Sequence, residues 1–284
     1  MLYVPPGASV IGDFGQQTIS SGTSPPTVTT FGVSVTSGSG AYGTYTQLFS
    51  AISQPAYGIC LYISYGFQAS RSAQVMNIGI DLAGGSSYTT YIPNIMISQA
   101  GAVAGGSGMH FYFPMYFPAG CSIGVATAGS LSQATRVAAT LMQQPADPSS
   151  IRTASYAESI GVTTVSGVVV VPGASNAEGS WTSIGTTVNR NWWWQIGYQL
   201  INATWQANTF LIDLAVGDGT TFDIIQSNMA GTHNASNNSW STHGYYAFGV
   251  ERDIPAGSTL YARIQGGNAS PTNFEVSIVA CGGG

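Results

Sequence analysis

The chain has 284 residues, only 6% of them charged, where a soluble domain ordinarily has roughly 25%. Its six basic residues are all arginine (Arg71, Arg136, Arg152, Arg190, Arg252, Arg263), and the formal net charge of −5 excludes nucleic acid, whose phosphates need clustered cations. A hydrophobic fraction of 44% excludes disorder, and no run approaches the ~18 apolar residues of a membrane-spanning helix, so no membrane is expected as a partner.

Amphipathic helices solvate their outer faces with Lys, Glu and Arg. Here Ser, Thr, Gly, Asn and Gln take that place, so the expected class is all-β. The opening Met1–Gly7 has no basic segment, and the first positive charge is Arg71, so no secretory signal is expected. Cys60, Cys121 and Cys281 are odd in number and widely spaced. They read as buried free thiols of a protein made in a reducing compartment.

In chain order, residues 1–29 carry Pro5-Pro6 and Pro25-Pro26 and read as an extended arm able to lie on a neighbour. Residues 30–143 and 164–284 read as two copies of one module, and 144–163 as a polar, Pro-rich linker. The repeat rests on short matches. Ile80-Asp-Leu-Ala83 recurs as Ile212-Asp-Leu-Ala215, an offset of 132, and Ile92 then matches Ile224. Phe117-Pro-Ala-Gly120 recurs as Ile254-Pro-Ala-Gly257, an offset of 137, and the last strand keeps that offset. The change of offset implies five extra residues in the second copy, placed in the loop 230–243.

Each copy reads as short strands. Leu260, Ala262 and Ile264 alternate with Tyr261, Arg263 and Gln265, and Phe274, Val276 and Ile278 alternate with Glu275 and Ser277, the period-two sign of half-buried strands. Further strands are predicted at 168–172, 181–188, 193–201, 208–216, 220–226 and 245–252. The Pro118–Gly120 and Pro255–Gly257 triplets suit tight turns. Seven or eight antiparallel strands in about 115 residues make a β-sandwich or jelly roll. The expected architecture is therefore two tandem antiparallel β-sandwich (jelly-roll-like) domains from an internal duplication.

Catalytic signatures are sparse. The three histidines (His110, His233, His243) accompany no nucleophile elbow, and no ligand spacing supports zinc. Four glutamates (Glu158, Glu178, Glu251, Glu275) offer no pair that spacing places across a cleft, so no catalytic residue, metal or cofactor is assigned. Asp213, Asp218 and Asp223 stand at steps of five, as calcium-binding oxygens would. Only Asp81 represents them in the first copy, which favours a shared structural contact for Asp81 and Asp213.

Tryptophan is the informative residue, because all six lie in the second copy. In a regular strand Trp192 and Trp194 face one way and Trp193 the other, so the three cannot share one core and at least one should meet solvent or a partner. Trp192, Trp193 and Trp194, with Trp240 and the loop histidines His233 and His243, are the candidate partner or glycan contacts. Core filling with a subunit contact is the favoured alternative.

The pattern Ile-Asp-Leu-Ala-Val-Gly at 212–217, followed by Ile254-Pro-Ala-Gly257 and Leu-x-Ala-Arg-Ile-Gln at 260–265, resembles jelly-roll virion proteins of tailed bacteriophages. The first copy repeats it more weakly at 80–85 and 117–126, with Ala126 in place of Arg263. The resemblance covers both copies and omits the arm and the linker. It implies a structural role as a capsid decoration (cement), head-spike or tail-associated protein, commonly trimeric. The expectation is a non-enzymatic virion protein, made in the host cytoplasm, that forms a homotrimer and binds the major capsid protein or another virion protein to stabilise the shell. The alternative is a tail or head-spike module that binds a host-surface glycan.

Overall fold

A computed structural model describes residues 32–65, 72–99, 108–130, 134–143, 152–200, 208–233, 250–267 and 274–283. Within them the chain is all-β. The first half contains β1 (Val33–Thr36), β2 (Gly38–Ser39), β3 (Thr46–Phe49), β4 (Ala56–Tyr65), β5 (Ser72–Asp81), β6 (Thr89–Gln99), β7 (Gly108–Phe113), β8 (Ser122–Gly129) and β9 (Ala134–Gln143). They form one sheet in the order β1-β9-β4-β7 and a second in the order β2-β8-β5-β6, with β3 also on β8.

The second half contains β10 (Tyr156–Ile160), β11 (Val168–Val170), β12 (Thr182–Thr186), β13 (Asn191–Leu200), β14 (Asn208–Gly217), β15 (Phe222–His233), β16 (Val250–Ile254), β17 (Thr259–Gly266) and β18 (Phe274–Gly282). Its sheets run β10-β18-β13-β16, with β11 also on β18, and β12-β17-β14-β15. Matching β11 to β1 and β12–β18 to β3–β9 makes the strand orders coincide. Each half is a sandwich with the connectivity of a jelly roll.

The cores follow from alternation of apolar residues along these strands. Ile59, Leu61 and Ile63 of β4 meet Met76, Ile78 and Ile80 of β5 between the first pair of sheets. Trp194 and Ile196 of β13 meet Phe210, Ile212 and Leu214 of β14 between the second. The strands predicted in the second half have their counterparts, shifted by a few residues at their ends, and residues 245–249 lie outside the described residues. The N-terminal arm 1–29 also lies outside them. The stretch 144–163 is not wholly linker, because β10 falls within it and pairs with β18 from Tyr156–Gly282 to Ile160–Ile278.

The halves meet through the sheet β10-β18-β13-β16, whose central strands β13 and β18 are buried on both faces. Phe274, Val276 and Ile278 of β18 face the second core, whereas Val279 and Cys281 join the first half's cluster. Glu275 and Ser277, read from the sequence as outward and solvated, are 3% and 1% exposed, because β6 of the first half lies over that face. Glycine makes this approach close. A Cβ on Gly197 would stand 2.6 Å from the Cβ of Met96 and 3.1 Å from Ser277 Oγ. A short excursion between β10 and β11 adds a second contact. Its turn places Thr164 at φ 59° and pairs Thr163 with Ser166, and Val162 and Val165 pack on Val75, Ala128 and Tyr42.

Because Gly197 sits under the backbone of β6, Gly197→Val should force the halves apart. Overpacking of this kind costs about 1–3 kcal/mol, read as a lower midpoint in denaturant unfolding of the full chain. Both halves should still unfold in one transition in the unsubstituted protein, since they share a cluster of buried side chains.

Candidate functional site

The tryptophan triplet is divided between the boundary of the halves and the second core. A β-bulge at Asn191–Trp193 breaks the alternation of β13. As a result Trp192 and Trp193 both join the first half's cluster, and Trp194 alone enters the second core. This corrects the expected pairing of Trp192 with Trp194. Trp193 meets Tyr112 edge-on at 5.4 Å, and Trp192 carries the Arg152 guanidinium 4.3 Å above its ring. The indoles of Trp192 and Trp194 donate to the carbonyls of Gly283 and Arg252. All three rings are at most 6% exposed, which leaves no face for a glycan. The surface that Trp192 and Trp193 meet is the first half of their own chain. His233 ends β15, and Trp240 and His243 lie outside the described residues.

A different aromatic constellation occupies the outer faces of the two remaining sheets. In the second half Trp181 stacks on Phe222, with centroids 5.1 Å apart and planes 21° apart, and Phe222 meets Tyr261 edge-on at 5.0 Å. The Arg263 guanidinium lies 4.5 Å from the Trp181 ring centre. Arg263 pairs with Glu178 at 2.5 Å and with Asp213 through Nε and Nη2, both at 2.8 Å. Planar stacking and a forked ion pair hold the guanidinium from three sides.

The first half carries the equivalent pair. Strand registers align Tyr45 with Trp181, since Thr46 pairs Val125 as Thr182 pairs Ala262. They align Tyr88 with Phe222, since Thr89 pairs Ile80 as Asp223 pairs Val216, and each ring belongs to the residue before. The Tyr45 and Tyr88 rings are 5.3 Å apart. Gly124 and Ala126 stand where the second half has Tyr261 and Arg263, opposite Gly79 and Asn77 as those stand opposite Ala215 and Asp213.

These registers also correct the repeat. Asp213 corresponds to Asn77, and Asp81 does not share its position. Both strands bulge there, at Met76–Ile78 and Ile212–Leu214. Asn77 Oδ1 accepts the backbone N–H of Asn94 and Asp213 Oδ1 that of Asn228, each at 2.7 Å. Asn94 and Asn228 both take positive φ, at 51° and 54°. Asp81 instead ends β5, where its carboxylate accepts the N–H groups of Ala83 and Ser87. The Ile-Asp-Leu-Ala match is thus four residues out of register. The insertion after it is three residues and not five, because Asn94 and Asn228 stand 134 apart and Gly120 and Gly257 stand 137 apart. The Pro-Ala-Gly turns do correspond. Gly120 and Gly257 take φ of 86° and 79° and donate to the carbonyls of Ile52 and Thr187.

The aspartates spaced by five are not brought together. Asp213 holds Arg263, Asp223 holds Arg252 at 2.5 Å, and Asp218 accepts the N–H groups of Thr220 and Thr221 in its own turn, which hold its carboxyl below the usual range. Among the other described carboxylates, Glu158 accepts the backbone N–H of Val188 and the side-chain amide of Asn191, Glu275 accepts the Gly167 N–H, and Asp253 bridges Arg152 and Arg190. Exposed His110 meets Tyr62 edge-on at 5.0 Å. The three cysteines are free and buried, and burial pushes the thiols of Cys60 and Cys121 up to about 12 and about 11.

No protein-family model matches the chain, and no curated protein matches it. Similar solved structures include PNGase F, a glycosylasparaginase from Flavobacterium meningosepticum, at 13% identity and a TM-score of 0.33, covering 88% of this chain and 92% of that one. A chain of broad bean stain virus is 8% identical with a TM-score of 0.32, covering 87% and 90%. A chain of the Sulfolobus turreted icosahedral virus is 12% identical with a TM-score of 0.24, covering 88% and 58%. At these scores the likenesses assign no activity.

Asp213→Asn should keep the bulge, because Asn77 already performs that task in the first half. It should weaken the hold on Arg263 and lower unfolding stability by about 1–2 kcal/mol. Asp213→Leu, which removes the bulge acceptor as well, should cost more in the same denaturant titration. Asp253 gives a pH test. The hydrogen bond from Arg152, aided by the nearby Arg190, holds its carboxyl below the usual carboxylate range. The lower value belongs to the folded state, so the stabilisation is fully present above the ordinary value of ~3.9 and is lost as pH falls through the folded one. Asp253→Asn should therefore melt slightly below the unsubstituted protein at pH 7, and the difference should vanish in strong acid.

Proposed function

We propose that this chain is a non-enzymatic structural protein of a virion, built as a duplicated jelly roll and acting as a decoration or cement protein on the outside of a bacteriophage shell, as a homotrimer. The observation that carries the reading is where the reactive groups go. Every carboxylate whose side chain is described is committed to a backbone N–H, a side-chain amide or an arginine. The cysteines are buried, and Trp192 and Trp193 weld one half to the other. Chemistry that elsewhere serves catalysis here serves cohesion. The scarcity of charge and the absence of lysine fit a body whose surface is matched to neighbouring subunits more than to bulk water.

The test is a comparison of purified particles with and without this chain, heated and osmotically shocked. Particles lacking it should break at lower temperature and release their contents on dilution. Particles equally robust without it would exclude the cement role.

The receptor-binding alternative, in which the chain holds a host-surface glycan, draws on one feature: half-exposed aromatic pairs on the outer sheet of each half. The burial of Trp192–Trp194 moves any such contact to those pairs.

A further inference from the structure

The two aromatic pairs occupy the same register positions on floors of different composition. Under the Trp181–Phe222 pair the floor is large and charged: Tyr261 and Arg263 rise from β17, and the guanidinium occupies the Trp181 ring. Under the Tyr45–Tyr88 pair the floor is bare backbone. A Cβ on Gly79 would stand 2.5 Å from the Tyr45 ring and one on Gly124 2.9 Å from the Tyr88 ring. Both tyrosines therefore lie along the sheet, each with one face against a glycine, and both stay half-exposed. The planes are tilted by 36°.

The rim is hydroxylic and uncharged. The Tyr45 hydroxyl lies 2.8 Å from Thr90 Oγ1, Thr89 and Thr44 are exposed, and Asp81 nearby spends its carboxylate on the N–H groups of Ala83 and Ser87. Where the second half has Arg263, the first has Ala126, so among the described residues no cation lies over the ring faces as Arg263 lies over Trp181.

Flat aromatic rings with an uncharged hydroxyl-bearing rim suit the C–H face of a pyranose, which stacks on an aromatic ring while its hydroxyls bond to the surround. No described cation there favours an acidic sugar. We infer that Tyr45 and Tyr88 form a stacking site for a neutral sugar ring, an inference that rests on the receptor-binding alternative. The second half's matching pair is closed by its own arginine and serves to cover the sheet.

The test uses the full chain against an array of neutral and acidic oligosaccharides, with hits titrated by NMR. A neutral oligosaccharide should bind the unsubstituted protein. Tyr45→Ala and Tyr88→Ala should each weaken it about tenfold, the worth of one lost ring stack. Tyr45→Phe, which keeps the ring, should bind as the parent does, and Trp181→Ala should leave binding unchanged. Thermal melts of each variant identify any loss that comes from unfolding, and Tyr45→Phe carries the test if the alanine variants fail to fold. Loss in Tyr45→Phe equal to that in Tyr45→Ala would overturn the stacking role. Binding that is lost in Trp181→Ala, or that is confined to acidic glycans and indifferent to both tyrosines, would overturn the site while leaving the receptor alternative standing. No binding to any glycan would overturn both.

Discussion

Burying both faces of a single sheet imposes a severe condition, since alternate residues that would normally face water must all find partners inside the protein. β13 and β18 meet that condition between them. On one side Trp194, Ile196, Phe274 and Ile278 close the second sandwich, and on the other Trp193, Val279 and Cys281 join the first. Neither jelly roll has a complete surface of its own on that side. Fixing the wall that they share fixes their relative position, and with it the placement of the outer sheets that remain free.

The outer sheets show how one framework carries two surface chemistries. The shared elements are a bulge opposite an asparagine in the left-handed region and an aromatic pair one strand away. What differs is the floor. Glycine and alanine in the first half let the tyrosine rings rest on backbone, whereas tyrosine and arginine in the second lift the rings and bring a charge beneath them. The ion pairs to Asp213 and Glu178 follow from that single exchange, because a half-buried guanidinium requires acceptors.

Much of this was legible in the sequence. Period-two alternation marked most strands of the second half, scarcity of charge marked the β class, and Pro-Ala-Gly marked the turn before β8 and before β17. Other features were hidden for identifiable reasons. Alternation in β18 shows Glu275 and Ser277 as outward, but not that another half covers them. The bulge at Asn191–Trp193 has no local signature, so regular alternation puts Trp192 on the wrong face. The Ile-Asp-Leu-Ala match drew the repeat four residues off, because identical letters outweighed the pairing of Asn77 with Asn94 and of Asp213 with Asn228, which only the ladders display. Trp181, Tyr45 and Tyr88 lie far apart in the chain from the residues they meet, and spacing alone joins none of them.

The position of β18 in the chain has a consequence for how the protein comes into being. Among the described residues β10 and β11 have no ladder neighbour but β18, and β13 has it along nearly its whole length, yet β18 follows all of them. Until it arrives, the earlier strands hold unpaired edges and the interface with the first half lacks its middle. The first jelly roll, whose strands close on one another by β9, can therefore form while the second waits. Assembly of the whole is a slow, late event governed by contacts between distant parts of the chain.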